Sequence, residues 1–294
     1  MIVPVSSLCT DRTESVQKVL FQYEKLWGSS FDLFPARLFE GAAQRLAIII
    51  GHRKKKNISF NVSSYLRWLA TERLALFQKL SLQDVSSHAV PTWIPRLGNE
   101  VELRILKKLH GDTIASHADN LNGKIIYIHR IVNNYVKAVS FPPYFKREGE
   151  PVGVSPDFKK IKVTTKSFLI IQAMLNSSLF YWYWRAHGDG FHCGLKDIRQ
   201  FPLNLGSIND SVAKDLSALA KKLNDDLNKN SEIRIRNQVA TGRVELQTFF
   251  VGISTPILNE IDTVLARHYG LTSDELDFIL NYDIKYRMGA SDEE

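Results

Sequence analysis

Apolar residues recur at different periods along this chain, and the changes of period divide it. Met1-Ile-Val-Pro-Val5 is a short apolar run ending at Ser6 and Ser7. It reads as a buried strand with Pro4 near its end, because proline cannot donate to a ladder. Asp11 stands where a helix cap is wanted, ahead of Val16, Val19, Leu20, Tyr23 and Leu26 at helical spacing. Phe31-Asp-Leu-Phe-Pro35 predicts a loop or short strand, and Leu46-Ala-Ile-Ile-Ile50 a fully apolar strand stopped by Gly51. Strand, helix, strand is the alternating order of an α/β sheet. A parallel sheet needs both faces covered, which so few elements do not supply. Residues 1–60 therefore read as the end of a sheet that begins elsewhere.

Further along, Tyr65-Leu-Arg-Trp-Leu69 and Glu72-Arg-Leu-Ala-Leu-Phe77 predict an amphipathic helix. Val90-Pro-Thr-Trp-Ile-Pro95 is an extended linker, since each proline biases its predecessor away from helix. Residues 100–109 form a short helix on Val101, Ile105, Leu106 and Leu109. Lys124-Ile-Ile-Tyr-Ile-His-Arg130 alternates like a strand, Asn133 and Asn134 break it, and residues 135–139 return as a second strand. Residues 146–156 are a loop, Ile161-Lys-Val-Thr-Thr165 is β-prone, and residues 167–184 predict one aromatic-rich helix. The remainder is predicted helical. Val212, Leu216, Leu219, Leu223 and Leu227 make a stripe for a partner helix, and Thr272-Ser-Asp-Glu275 is a capping box.

Composition adds direction. At 294 residues, 44% hydrophobic and 23% charged, the chain is a globular protein of one large or two ordinary domains. A net charge of +7 favours a polyanionic partner, nucleic acid first. Two cysteines, Cys9 and Cys193, make no disulfide scaffold and point to a reducing, cytoplasmic setting. No apolar run approaches the roughly 18 residues of a membrane span, so no membrane partner is expected.

Residues 180–184, Phe-Tyr-Trp-Tyr-Trp, lead into Arg185 and a glycine-punctuated turn from His187 to His192. Aromatic rings stack on nucleobases, and arginine meets phosphates or ring faces. Five consecutive helical residues point all round the axis, however, so the run is scaffold. Arg185, His187 and His192 after it are the DNA-contacting candidates. Arg53, Lys54, Lys55 and Lys56, with Lys159, Lys160 and Lys162, are candidate phosphate contacts, because positioning contacts go to basic side chains. Asp283-Ile-Lys285 has the acidic-x-Lys form of a nuclease metal site but lies in a helical pattern. His187, His192 and Cys193 lack zinc spacing, so no metal site is expected. There is no glycine-rich phosphate loop and no Gly-x-Ser-x-Gly elbow.

Several stretches nevertheless carry a resemblance through their order. Ile2-Val-Pro-Val-Ser-Ser7, residues 27–31, Pro35-Ala-Arg-Leu-Phe-Glu-Gly41 and Arg45-Leu-Ala-Ile-Ile-Ile50 resemble the later part of a methyltransferase catalytic domain. Ile94-Pro-Arg-Leu-Gly98, Leu175-Asn-Ser-Ser-Leu-Phe-Tyr-Trp-Tyr-Trp184 and Phe201-Pro202 resemble a target-recognition region, and residues 275–287 the tail of the same proteins. The family is that of gamma-class N6-adenine DNA methyltransferases, including the methylase portion of type IIG restriction–modification enzymes. The resemblance implies an α/β fold followed by α+β. Residues 1–60 would hold the terminal strands of a Rossmann-like sheet, 61–124 a helical connector, 125–205 a mixed target-recognition domain, and 206–294 a helical C-terminal region.

In that family a glycine-rich S-adenosylmethionine loop and an Asn-Pro-Pro-Tyr loop precede the segment with which this chain begins. The nearest tetrapeptide here, Phe141-Pro-Pro-Tyr144, has no side-chain acceptor at its first position and reads as a rigid bend. The resemblance thus implies no catalytic residue in this chain, which would be inactive alone. Cofactor binding and catalysis would come from a polypeptide carrying the N-terminal motifs, with double-stranded DNA as the other partner. Phe39 occupies the family's place for the aromatic residue that stacks on the flipped adenine. The alternatives are a non-catalytic DNA specificity subunit, a split-gene remnant, or a protein-interaction scaffold using the stripe on residues 212–227.

Overall fold

The computed structural model describes residues 1–52, 59–91, 93–119, 122–238 and 242–287. In chain order the first elements are β1 (Ile2–Pro4), α1 (Glu14–Leu20), β2 (Lys25–Phe31), β3 (Leu46–His52), β4 (Ser59–Leu66), β5 (Gln83–Asp84) and α2 (Glu100–Lys108). Next come β6 (Lys124–His129), β7 (Ala138–Val139), β8 (Phe145–Arg147), β9 (Phe158–Val163), α3 (Phe168–Asn176), α4 (Ser178–His187) and α5 (Leu195–Arg199). The last are α6 (Asp210–Lys229), β10 (Ser231–Gln238), β11 (Gly242–Phe249), α7 (Thr255–Tyr269), α8 (Ser273–Asn281) and α9 (Ile284–Arg287). The fold is mixed α/β with several sheets.

One compact unit comprises Met1–Lys107, Trp182–His192 and the chain from Asp283 onward. Its sheet has the order β1-β3-β2-β4-β5. β2 and β4 run parallel, whereas β1–β3, β2–β3 and β4–β5 are antiparallel. The expected parallel arrangement is therefore corrected to a mixed sheet. Residues 32–45 return the chain directly from β2 to β3, and a connection without a helical crossover makes neighbouring strands antiparallel. β1 is a three-residue edge strand with Ile2 53% exposed, not the buried strand its composition suggested. Leu26, Ala47, Ile49, Phe60 and Val62 are buried on one face, where the Phe21 ring after α1 lies 4.6 Å from Phe60. On the other face Phe31 and Leu46 join a cluster with Ala36, Leu38, Trp68 and Leu76. Toward the opposite end of that face, among the described residues, Ile50 is 62% exposed and Trp27 half-buried.

The helix expected at residues 65–77 is also corrected. Phe60, Val62 and Tyr65 are buried from a strand, and a short 3-10 helix, Ala70–Ala75, follows. The apolar residues that imitated a helical stripe are not used as one, since Leu74 is 94% exposed.

The second unit comprises Lys108–Tyr181 and Cys193–Tyr282. In its first sheet β6 lies between β7 and β9, antiparallel to both. Ile126, Ile128, Ile161 and Val163 are buried from these strands, as the alternation predicted. α3 packs against α6 and α7. Gln172 and Asn224 exchange amide hydrogen bonds of 2.7 and 2.9 Å, and the Asn176 amide donates to the Ala138 carbonyl at 2.8 Å. The α6 stripe is buried at Val212, Leu216, Leu223 and Leu227, and Thr272 and Glu275 form the expected capping box on α8.

Two differences have local causes. The single helix expected over residues 167–184 is broken at Ser177, whose backbone is extended (φ −66°, ψ 155°). Ser177 Oγ accepts from Phe180 N at 3.0 Å, and the buried Asp262 carboxylate accepts from Ser178 N and Leu179 N, both at 3.1 Å. The α4 N–H groups that lack intrahelical partners are satisfied and its positive end is neutralised. The helical tail, in turn, contains the β10–β11 hairpin. Its Ile233, Arg234, Ile235 and Arg236 alternate with period two, a signal that the surrounding helical pattern obscured.

Candidate nucleic-acid interface

Phe39 lies in the connection from β2 to β3, which is tied down along its length. Asp32 N donates to Leu66 O at 2.8 Å and Ala36 N to Trp68 O at 3.2 Å. Arg73 donates to Leu38 O at 3.0 Å and to Arg37 O at 2.6 Å. Ala36 and Leu38 are buried, whereas Phe39 is 42% and Phe34 52% exposed. Phe39 is therefore not a plug for the sheet edge. A fixed backbone holds its ring, and that of Phe34, toward solvent, where each can stack on a planar ligand. Phe34 was missed in the sequence because no motif marked it.

At the base of this connection lies a buried ionic cluster. The Asp32 carboxylate accepts from Arg185 Nη1 at 2.7 Å and lies 3.0 Å from Arg45 Nε and 3.8 Å from Arg67 Nε. Asp283 lies 3.5 Å from Arg185 Nε and 3.7 Å from Arg67 Nη1. The Arg185 guanidinium also stacks 3.9 Å from the Tyr65 ring centroid. Burial raises the Asp32 carboxyl, but Arg185, Arg45 and Arg67 lower it by more, leaving it below the ordinary carboxylate value. Arg185 itself is 1% exposed. Its assignment to phosphate contact is corrected: the guanidinium is spent on two carboxylates and a ring inside the unit.

His187 is corrected likewise. It is 5% exposed, its Nδ1 lies 2.7 Å from Tyr183 O, and its ring packs on Trp93 and Tyr183. Burial pushes its pKa down to about 3, so it is neutral at pH 7. The glycines after it serve packing. A Cβ on Gly188 would come 2.6 Å from Trp184 Nε1, and one on Gly190 (φ +78°) 2.4 Å from the Tyr65 hydroxyl. His192 is different: its side chain is 44% exposed, with Nδ1 3.5 Å from Asp189 Oδ2.

A second buried carboxylate, Glu102, accepts from Gly98 N at 2.7 Å, Ser64 Oγ at 2.5 Å and Trp182 Nε1 at 3.1 Å. Burial nonetheless raises its pKa. Its partners hold the first unit together and mark it as a positioning group.

In the second unit the strand period separates the three lysines of β9. Lys160 and Lys162 pair in register with Tyr127 and Ile125, on the face opposite the buried Ile126 and Ile161 pair. Lys160 is exposed, with its ammonium 5.7 Å from the Tyr127 ring centroid. Lys159 pairs with Ile128 and is half-buried. The outward face thus offers the exposed Lys160 and an aromatic ring, with Lys162 half-buried beside them. Arg53, Lys54, Lys55 and Lys56 lie outside the described residues.

Elsewhere in this unit a cavity of ≈ 780 Å³ is lined by Asp112, His117, Lys166, Ile170 and Lys214. His117 Nε2 lies 2.6 Å from Asp112 Oδ2. Phe141-Pro-Pro-Tyr144 connects β7 to β8, and Tyr144 OH donates to Glu245 at 3.0 Å, so this bend is structural. No group of His, Cys, Asp and Glu among the described residues is arranged to hold a metal ion, and no described helix is long and apolar enough to cross a membrane. Neither a protein-family model nor a curated protein matches the chain.

Proposed function

We propose that this chain is the DNA-binding, target-recognising portion of a site-specific adenine DNA methyltransferase of a restriction–modification system. The completed enzyme transfers a methyl group from S-adenosylmethionine to adenine N6, with the cofactor loop and Asn-Pro-Pro-Tyr loop supplied by another polypeptide. The observation that carries this proposal is Phe39, an exposed ring on a clamped connection at the position the family resemblance assigns to the base-stacking aromatic. Flipping a base out of a duplex costs a few kcal/mol, and stacking on an aromatic side chain returns about 1–3 kcal/mol. A ring fixed before binding loses little entropy on stacking.

Two further features support it. Lys160 and Lys162, with Tyr127 between the strands, make a basic and aromatic face suited to a sugar–phosphate backbone. The exposed Ile50 and half-buried Trp27 on one sheet face would give a second polypeptide an apolar surface to cover. In this proposal that polypeptide carries the remaining strands of a Rossmann-like sheet.

Fluorescence anisotropy on a labelled duplex between about 50 and 200 mM salt tests the DNA half. Affinity is expected to fall steeply with salt, and Lys160→Ala with Lys162→Ala to lower the slope by about one per lost phosphate contact. A chain without salt-dependent binding refutes the proposal.

A further inference from the structure

The cavity beside Asp112 and His117 has walls that are pinned to one another. Ile114 N donates to Phe201 O at 3.1 Å, Leu203 N to Asp112 O at 2.7 Å, and Thr164 N to His117 O at 3.2 Å. Gly111, at φ +98°, lets the chain pass Asn204, where a Cβ would come within 2.9 Å of the amide oxygen. The segments that meet here, residues 112–117, 164–170 and 205–217, all belong to the second unit. They border ≈ 780 Å³, within the range of about 300–1,000 Å³ typical of small-molecule sites. A recess held open by its own backbone loses little freedom when a ligand enters.

Most polar groups of the lining satisfy one another. Thr164 Oγ1 and Ser167 Oγ lie 2.6 Å apart, Ser217 Oγ donates to Ala213 O at 2.7 Å, and Asp112 holds the His117 ring at 2.6 Å. Burial raises the Asp112 carboxyl, but hydrogen bonds from His117 and the Gly206 backbone lower it by more, so it is ionised and already engaged. Lys166 and Lys214 differ. Both line the cavity, both are exposed, and neither has a carboxylate within ion-pair distance among the described residues. Together they outnumber Asp210, the other acid of the lining. α3, which begins beside Ser167, has no side-chain cap and no acid in its first turn, so the positive end of its dipole adds to theirs. Ile170, Leu205 and Ile208 supply the apolar part of the surface.

We propose that this cavity binds a small organic monoanion, an apolar ring or chain bearing one carboxylate or sulfonate. The apolar body rests on Ile170, Leu205 and Ile208, and Lys166 and Lys214 receive the charge. A sugar–phosphate backbone is a poorer occupant, because it carries its charges outermost and has no apolar body to fill a recess. Binding there requires neither DNA nor a second polypeptide, so the site goes beyond the function proposed above.

The probe is 8-anilinonaphthalene-1-sulfonate, with N-phenyl-1-naphthylamine, the same rings without the sulfonate, as its neutral counterpart. Fluorescence titration of the full chain should show a single saturable site for the sulfonate dye. Lys166→Met and Lys214→Met are each expected to weaken that dye about two- to five-fold, and to change the affinity of the neutral dye by less than about two-fold. Both lysines are exposed, so these variants should fold, which circular dichroism checks. Ala213→Trp fills the cavity and should abolish binding of both dyes. The absence of a saturable site overturns the proposal, as does undiminished binding of the sulfonate dye in the double lysine variant or in folded Ala213→Trp. Displacement of the dye by stoichiometric duplex DNA also overturns it, and makes the recess part of the nucleic-acid surface instead.

Discussion

Replacing Arg185 separates a structural arginine from a DNA-contacting one by magnitude alone. Its guanidinium is 1% exposed and lies 2.7 Å from Asp32, 3.5 Å from Asp283 and 3.9 Å from the Tyr65 ring centroid. Arg185→Met keeps the volume and removes the charge. Removing one partner of a buried ion pair costs roughly 3–5 kcal/mol, because the other charge stays buried without it. Loss of a desolvated cation–π contact adds up to about 2 kcal/mol. Against this, Asp32 keeps Arg45 at 3.0 Å and Arg67 at 3.8 Å. The lower end, about 3 kcal/mol, is therefore expected. Urea unfolding followed by tryptophan fluorescence measures it, and anisotropy at several salt concentrations measures DNA binding by the folded variant. The expected pair of results is a large loss of stability and an unchanged salt slope. A stability change within about 0.5 kcal/mol, together with a slope reduced by about one, would instead mark Arg185 as a surface phosphate contact and refute the assignment.

Phe39→Ala should change stability by less than about 0.5 kcal/mol, since the ring is 42% exposed, while slowing methyl transfer in the reconstituted enzyme; unchanged turnover removes the stacking role. His187 is held neutral, with its pKa lowered from 6.5 to about 3, so the unfolded chain binds one more proton between those values. Its contribution is complete above pH 6.5 and declines on acidification toward pH 3, at roughly 1.4 kcal/mol per pH unit. His187→Asn retains a donor for Tyr183 O, and unfolding curves across that window should lose this part of the pH dependence. Thr272→Ala removes the acceptor for Glu275 N at 3.3 Å and should cost about 1 kcal/mol in urea unfolding.

The elements with clean periods were legible in the sequence. β6, α2 and α6 stand where alternation or helical spacing put them, β3 runs on through Gly51 to His52, β9 occupies Phe158–Val163 rather than 161–165, and the α8 cap was written out in Thr272 and Glu275. Failures came where two periods compete. Residues 65–77 hold enough apolar positions for a helical stripe, yet Phe60, Val62 and Tyr65 are buried from a strand. The hairpin at residues 231–249 was hidden by long helical patterns on both sides.

For the candidate site the limit was burial. Arg185 and His187 follow an aromatic run, and local sequence does not reveal that Asp32 and Asp283 lie beside one and Trp93 beside the other. Asp283 belongs to a tripeptide of nuclease-like form, yet its carboxylate lies beside the arginines Arg67 and Arg185. Phe39 stands 42% exposed in the connection between β2 and β3, and its stacking role remains the proposal that methyl transfer tests.

Transfer of a labelled methyl group from S-adenosylmethionine to duplex DNA is the most direct test of the proposed function. It is measured for this chain alone, for a polypeptide bearing the glycine-rich and Asn-Pro-Pro-Tyr loops alone, and for the two together. Label on adenine N6 only in the combined reaction is the predicted result. Label transferred by this chain alone, or none from the combination while both chains are folded, would contradict it.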